Sequence, residues 1–425
     1  MFQKKMMMIL IIIGFTTSIL SQGFRDPWRY PEENRFFGGV GVTWIDDNPY
    51  TSLTIAPDIS IGDFGIGIYL QLLFDANNDF KLRTDEYKDG AGILRAVRYV
   101  RYGQKYDQFY LKVGWLDRAM LANGFLMWNY NNTSNYDKRK IGLAADFDFS
   151  NFGFETVLGG LGTPSVRGAN IYVRPFRLIN SGGPLLNRFR IYGSFVRDSR
   201  IPVTAGSDST VALNTYGVGA DLMWLDLPLI KSAVYADYSK FENYGDGQAI
   251  GINLLFPDLI GILGMSAKFE KRFINDQFIP SLFGPLYDLD RNVNLLSRIE
   301  SSVKNEGYFG ELAGHVLNRL RLIGNFQKLN GIPNSGILHL EASIPDMIPR
   351  FEFFGYYDKK NIETFEDVRT LDINSVLSAG MRYQLYGLVY ATLIYRWYWV
   401  EDANFPGVFR PKERVEPGIS IRYDF

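Results

Sequence analysis

From Phe37 to Phe425 the chain alternates apolar and polar side chains in short runs. Phe64, Ile66, Ile68, Leu70, Leu72 and Phe74 share one parity, and Gly65, Gly67, Tyr69 and Gln71 share the other. A period of two marks an extended strand with one apolar face and one wet face. The same period recurs over residues 109–115, 141–149, 216–224, 263–269, 338–344 and 389–399. The chain closes on it, with Ile419, Ile421, Tyr423 and Phe425 set against Ser420, Arg422 and Asp424. Residues 91–102 are less regular, because their arginines fall on both parities. The whole pattern accommodates roughly 18 to 20 strands.

Connection lengths add a second pattern. If the first strand starts at Phe37, every second connection is short: 62–63, 103–106, 150–151, 226–228, 257–259, 318–319, 345–349 and 386–387. The intervening ones are mostly long: 75–90, 116–137, 198–210, 272–306, 359–373 and 401–413. Residues 177–187 are an exception on the short side. Tight turns at one rim and long loops at the other suit a barrel that crosses a membrane. A soluble sandwich has no reason to segregate its loops.

The terminal aromatic gives this pattern an address. Phe425 as the last residue, with Tyr423 two places before it and apolar residues at every second position, resembles the closing strand of Gram-negative outer-membrane β-barrels. The resemblance implies an all-β fold, a transmembrane antiparallel up-and-down β-barrel of about 18–20 strands with short periplasmic turns and long outer loops. It also implies a porin-like protein of the outer membrane, surrounded by outer-membrane lipid. The barrel-assembly machinery would then recognise the C-terminal strand, 419–425.

The N-terminus agrees. Lys4 and Lys5 precede an apolar run from Met6 and a small-residue tail at Ser18–Ser21, the layout of a cleaved signal peptide over 1–21. A membrane anchor is the alternative, but an apolar run of about 15 residues is short for a span. Residues 22–35 are polar and aperiodic and read as a periplasmic or lumenal segment before a barrel over 36–425. No later apolar stretch reaches the length of a spanning helix, so crossing a membrane requires a closed barrel.

Composition narrows the chemistry. With 45 basic and 46 acidic residues, no polyanion-binding surface and no nucleic-acid partner are expected. The 42 glycines and 15% aromatics favour strands and tight turns. The absence of cysteine removes disulfides and thiolate metal sites, and two histidines leave little scope for imidazole ligation. No cofactor is expected: there is no phosphate-binding glycine loop, and the acidic run 75–79 lacks the Gly and closing Glu of a calcium loop. No serine sits in a nucleophile motif, so the chain does not read as an enzyme.

A barrel of about this size is too wide for its side chains to fill, so the lumen holds water or a plug. The candidate pore-lining residues on the inward parity are Arg174, Arg188, Arg190, Asp221, Asp237, Lys268, Glu270, Glu311, His315, Arg321, His339, Glu341, Arg382 and Arg396. These charges either form facing basic and acidic sectors of a channel wall or pair across neighbouring strands. His315 and His339 fall near Glu311 and Glu341; they read first as structural residues of the lumen, and second as an acid–base or metal group. Trp44, Trp115, Trp224, Trp397 and Trp399 near strand ends suggest interfacial girdles. The longest connection, 272–306, is aromatic and Pro-rich at first, then patterned for a short amphipathic helix within 290–304 through Val293, Leu296 and Ile299. Its apolar content suggests a constriction inside the lumen or a cap over the mouth, with packing among outer loops as the plainer alternative. The functional expectation is passive diffusion of small polar solutes. A non-conducting scaffold of an envelope complex and a transporter of hydrophobic compounds are the alternatives. Oligomeric state is not legible in the sequence.

Overall fold

A computed structural model describes residues 34–45, 48–84, 96–133, 140–162, 166–258, 261–293, 295–317, 319–402, 405 and 408–425. The expected signal peptide (1–21) and nearly all of segment 22–35 lie outside the described residues, as do parts of the connections 75–90 and 116–137. The strands are β1 (Arg35–Ile45), β2 (Asn48–Ile61), β3 (Phe64–Ile68), β4 (Leu70–Asp75), β5 (Lys81–Arg83), β6 (Val97–Tyr102), β7 (Phe109–Gly114), β8 (Gly142–Asp148), β9 (Phe152–Leu158), β10 (Val166–Val173) and β11 (Phe189–Pro202). They continue with β12 (Thr210–Asp226), β13 (Lys231–Phe241), β14 (Asp246–Phe256), β15 (Leu263–Ile274), β16 (Asn305–Val316), β17 (Leu320–Leu329), β18 (Gly336–Ile348), β19 (Phe351–Ile362), β20 (Ser375–Tyr386), β21 (Val389–Glu401) and β22 (Phe409–Asp424). Short helices interrupt the connections: α1 (Pro175–Leu178), α2 (Gly183–Leu186), α3 (Tyr287–Asp290), α4 (Leu295–Glu300) and α5 (Phe365–Arg369).

These segments form 20 staves of one antiparallel barrel. β3 and β4 both pair with β2 and are one stave broken at Tyr69. β5 pairs with β4 and β6 with β3, so those two are also one stave. β22 pairs with β1, Arg35 opposite Asp424 and Gly41 opposite Gly418, and this leaves no free edge. Closure is what an apolar bilayer demands, since an unpaired backbone N–H or C=O there costs several kcal/mol, on the order of 2–7.

Alternation along each stave sorts the side chains. Val218, Ile250, Phe269, Leu312 and Ile419 are more than half exposed and point outward. Their strand neighbours Glu270, Glu311, Ala313 and Ser420 are buried inside. An apolar exterior around a charged interior is the inverse of a soluble barrel and fits a lipid surround. The irregular stave has a local cause. The register shifts between Gly67 and Ile68 opposite β6, which makes Arg98 the extra residue of a bulge. Arg98 thereby reaches Asp58 on the lumen side, where Tyr99 and Arg101 also point.

The two rims differ as the connection lengths imply. One carries the connections 62–63, 103–108, 149–151, 227–230, 257–262, 317–319, 349–350 and 387–388, and the exception 174–188, which holds α1 and α2. The last residue, Phe425, lies at this rim and donates its N–H to Asn34. Among the expected girdle residues, Trp44 and Trp224 are exposed on the outside. Trp115 instead lines a cavity inside the barrel, and Trp399 is buried against Leu289 and Val376, so neither belongs to a girdle. Both were misplaced for the same reason: nearby loops fold over them, which strand position alone does not reveal.

If Ile250 faces lipid, Ile250→Arg should cost about 2–4 kcal/mol of unfolding free energy in vesicles, the range for a charge near the bilayer midplane. Ile250→Leu should cost almost nothing. Denaturant unfolding of the two variants measures the difference.

Candidate functional site: a lumenal plug and the passage beside it

Three connections fold into the barrel rather than away from it. From the long-loop rim, the connection after β7 descends to a tip at Leu121–Trp128, and the connection between β15 and β16 descends with α3 and α4. From the opposite rim, the 103–108 connection turns inward and brings Tyr106 against Met120, Trp128 and Phe309. Several of the reversals adopt left-handed backbone at non-glycine residues, including Tyr106, Ala122 and Ser281. Such conformations cost about 1–3 kcal/mol each and persist only where packing over-determines them.

Packing here is dense. The two long connections join through a parallel bridge between Met127 and Phe283, backed by backbone bonds from Trp128 to Phe283, Ser281 to Phe125 and Phe283 to Leu126. Leu121, Phe125, Leu126, Met127, Phe278 and Phe283 are buried together with Leu295 and Ile299. The aromatic contacts Phe125–Phe278 at 5.5 Å and Phe283–Tyr287 at 4.7 Å lie inside this cluster. Gly124 is left-handed and lies flat against the Trp128 ring, where any Cβ would collide. The helix expected through Val293, Leu296 and Ile299 is corrected in detail. The buried stripe of α4 is Leu295 and Ile299, four residues apart, while Leu296 is partly buried and Val293 is exposed.

The wall holds the plug with its carboxylates. Glu155 accepts the Ala122 N–H at 2.7 Å, Glu311 accepts the Trp128 indole at 3.1 Å, and Asp198 accepts the Tyr287 hydroxyl at 2.7 Å. Burial, reinforced by Asp198, pushes the Tyr287 phenol well above its ordinary pKa and keeps it a donor. Glu341 accepts Arg118 of the first infolded connection at 2.8 Å. Three tyrosines lie opposite glycines of the next strand, Tyr172 on Gly153, Tyr192 on Gly219 and Tyr235 on Gly251, with their rings covering the missing side chains. Tyr192 reaches Asp237 and Tyr235 reaches Glu270, both at 2.7 Å. Glu270 also binds Lys268 at 2.8 Å and Arg272 at 2.5 Å, and Lys268 sits 4.0 Å over the Trp128 ring.

The expected lumen residues therefore divide by their surroundings. Arg174 binds Asp148 at 2.8 Å, Arg188 binds Asp226 at 3.2 Å and Arg190 binds its cross-strand partner Asp221 at 2.6 Å. Asp237, Lys268, Glu270 and Glu311 are buried beneath the plug. His315 binds Asp258 at 3.0 Å. Arg321 lies opposite His315 in the β16–β17 register. His339 lies between Asp358 at 2.7 Å and Glu341 at 3.1 Å. Among the described residues no group of three or more His, Cys, Asp or Glu side chains is placed to hold a metal ion. Arg382 binds Glu352 at 2.9 Å and Arg396 binds Glu416 at 3.1 Å, again across neighbouring strands.

Space remains where the plug does not reach. A cavity of about 390 Å³ lies between the plug and the staves β2, β6, β7, β18, β19 and β21. Its lining carries six cations (Arg98, Arg101, Lys105, Lys112, Arg118 and Arg396) against four carboxylates (Asp58, Asp117, Glu341 and Asp358). Within this lining Lys112, 2.8 Å away, and Arg118 hold the exposed Asp117 carboxyl at a pKa of about 2. Asp58, Arg98 and Arg396 also line a second cavity of about 250 Å³, beside Arg35, Arg382 and Glu416. Pro285, His339 and Asp358 also line a third, of about 90 Å³, against α3 and α4. The three spaces thus follow one another down one side of the barrel. Arg98, Arg101, Lys105, Lys112 and Arg118 were not among the expected lining residues. The bulge hid the first two, Lys105 and Arg118 lie on connections that a strand parity does not orient, and Lys112 stands on the polar parity of β7, where it was legible.

A closed barrel of 20 staves, apolar outside and charged inside, with loops folded into its lumen, defines a transmembrane antiparallel up-and-down β-barrel. A scan of protein-family models finds no match, and a search of curated proteins finds no relative. Solved structures similar to this chain include OccK2 (OpdF) of Pseudomonas aeruginosa in complex with glucuronate (9% identity, covering 92% of this chain and 94% of that one, TM-score 0.33). OccK9 (OpdG) of the same organism is also similar (10% identity, 92% and 96%, TM-score 0.34). So is CdiB from Acinetobacter baumannii (8% identity, TM-score 0.28), where the chain covers 92% of itself but about 60% of the CdiB chain. These superpositions are distant, and the fold assignment rests on the strand pairing itself.

Glu270→Gln should leave Lys268 and Arg272 buried with too little negative charge, at a cost of about 3–5 kcal/mol. Thermal unfolding in detergent should show the loss. Trp128→Ala should unseat the plug at a cost of about 3–5 kcal/mol. Protease cleavage within 116–133, slow in the parent protein, should then become fast while the strands stay protected.

Proposed function

We propose that the protein is a passive channel for small polar solutes, and that they travel along the passage beside the plug. The supporting observation is the succession of three adjoining cavities from α3 and α4 towards the short-turn rim, with charged groups concentrated in the two larger ones and a largely apolar lining in the one against α3 and α4. Lining charge sets the class of solute. Cations outnumber carboxylates in the two larger cavities, and a low-dielectric wall strengthens their field. Anions are the favoured cargo. Transport of hydrophobic compounds is disfavoured, because such a solute would have to desolvate this lining. The candidate residues His339, Glu341, Arg382 and Arg396 border the route, while the buried Asp237, Lys268, Glu270 and Glu311 serve to hold the plug.

The narrowest step is assigned to Pro285 of the infolded connection, at the junction of the 390 Å³ and 90 Å³ cavities that it lines together with His339 and Asp358. A barrel whose lumen is this well filled also suits a scaffold that conducts nothing, and current measurement separates the two readings. In a planar bilayer the refolded protein should pass a small steady current. Replacing residues 277–301 with a short Gly-Ser link should enlarge it several-fold. No current from either form would leave the scaffold reading standing.

Selectivity supplies a second test. Under a salt gradient the reversal potential should show anion preference, and Arg98→Glu with Arg396→Glu should reverse it. Lowering the pH from 7 towards 4 leaves the arginines and lysines of the lining charged, and Asp117, with its pKa lowered to about 2, stays ionised as well, so anion preference should persist over that range.

A further inference from the structure

The 174–188 connection is anomalous. It stands on the rim whose other connections are two to six residues long, yet it runs for fifteen and folds into α1 and α2. It exposes Leu178, Ile179, Leu185 and Leu186, with Ile179 at 69%. The neighbouring turn adds Leu227 and Leu229, the latter at 66%. Six exposed aliphatic side chains on a rim that needs only tight turns are unfavourable to leave in water.

Two further observations indicate what covers them. The patch continues the lipid-facing belt: Ile171 on β10, Ile191 on β11 and Trp224 on β12 are exposed on the outer face of the staves that lead into it. The connection packs against those staves through Phe176 and Phe189, whose rings lie 5.8 Å apart. Of its three arginines, Arg174 and Arg188 turn to the wall carboxylates Asp148 and Asp226, and Arg177 stays beside the aliphatic side chains in a segment with no Asp or Glu. Exposed aliphatic side chains that continue the lipid-facing belt suit the boundary between acyl chains and headgroups.

We infer that α1, α2 and the 227–230 turn form a foot that lies in the headgroup boundary of the leaflet at the short-turn rim, with phospholipid as its occupant. The foot extends the apolar belt sideways at one sector of the barrel and fixes the depth of that sector. Burial of the aliphatic side chains holds it there.

The cysteine-free chain makes the test direct. Ile179→Cys, Leu186→Cys and Leu229→Cys are each made singly and nitroxide-labelled, then the full-length protein is reconstituted into phosphatidylethanolamine–phosphatidylglycerol vesicles. Collision rates with oxygen and with a water-soluble nickel chelate report immersion. Ile250→Cys on the lipid face and Ser207→Cys in an exposed loop of the other rim give the two reference values, and gel mobility before and after heating confirms that each variant is folded. Labels at 179, 186 and 229 should give oxygen-to-nickel ratios several-fold above that at 207 and near that at 250. Ratios matching position 207 would overturn the proposal and transfer the patch to a protein partner in the periplasm.

Discussion

Backbone hydrogen bonding without a free edge is the constraint on which the rest of the structure depends. The β1–β22 pairing closes it. Once the strands must close on themselves in lipid, every stave needs one apolar face and one polar face, and its charges have only the inside to occupy. Twenty staves leave an interior wider than wall side chains can span. The interior must then be filled by water or by the chain's own loops, and this chain folds three connections into it and leaves open space beside them.

The division of the interior follows from where the wall charges are spent. Carboxylates on β9, β11, β15 and β16 take hydrogen bonds from the plug or neutralise the cations beneath it. That leaves the opposite side with an excess of arginine and lysine around open space. A near-neutral chain thus lines an internal space with more cations than carboxylates. Hydrogen bonds to charged groups contribute about 1.5–3 kcal/mol each, and the apolar cluster around Met127 and Phe283 adds to them, so the plug is seated rather than loosely tethered.

His339 shows how the wall and plug are joined. Its ring bridges Asp358 and Glu341, and Glu341 also holds Arg118 of the infolded connection. A residue that sequence offers as a possible acid–base group is thus tied on both nitrogens to carboxylates of the passage wall. The same geometry places it, with Pro285, at the point where two cavities meet.

The amino-acid sequence by itself determined the staves, their polarity and the closing strand, because a period of two is a local property and a lipid surround forces it to persist for the whole chain. It also marked the 272–306 connection as too apolar for an exposed loop. It did not reveal the partner connection after β7, although Leu121, Phe125, Leu126, Met127 and Trp128 carry the same signal in fewer residues. Nor did parity orient Arg98, which a bulge redirects, or Trp115 and Trp399, which loops cover. Only the tertiary structure decided which charges pair, which are spent on the plug and which line open space. Those outcomes depend on side chains from staves far apart in sequence meeting across the lumen, and local periodicity holds no information about such distances.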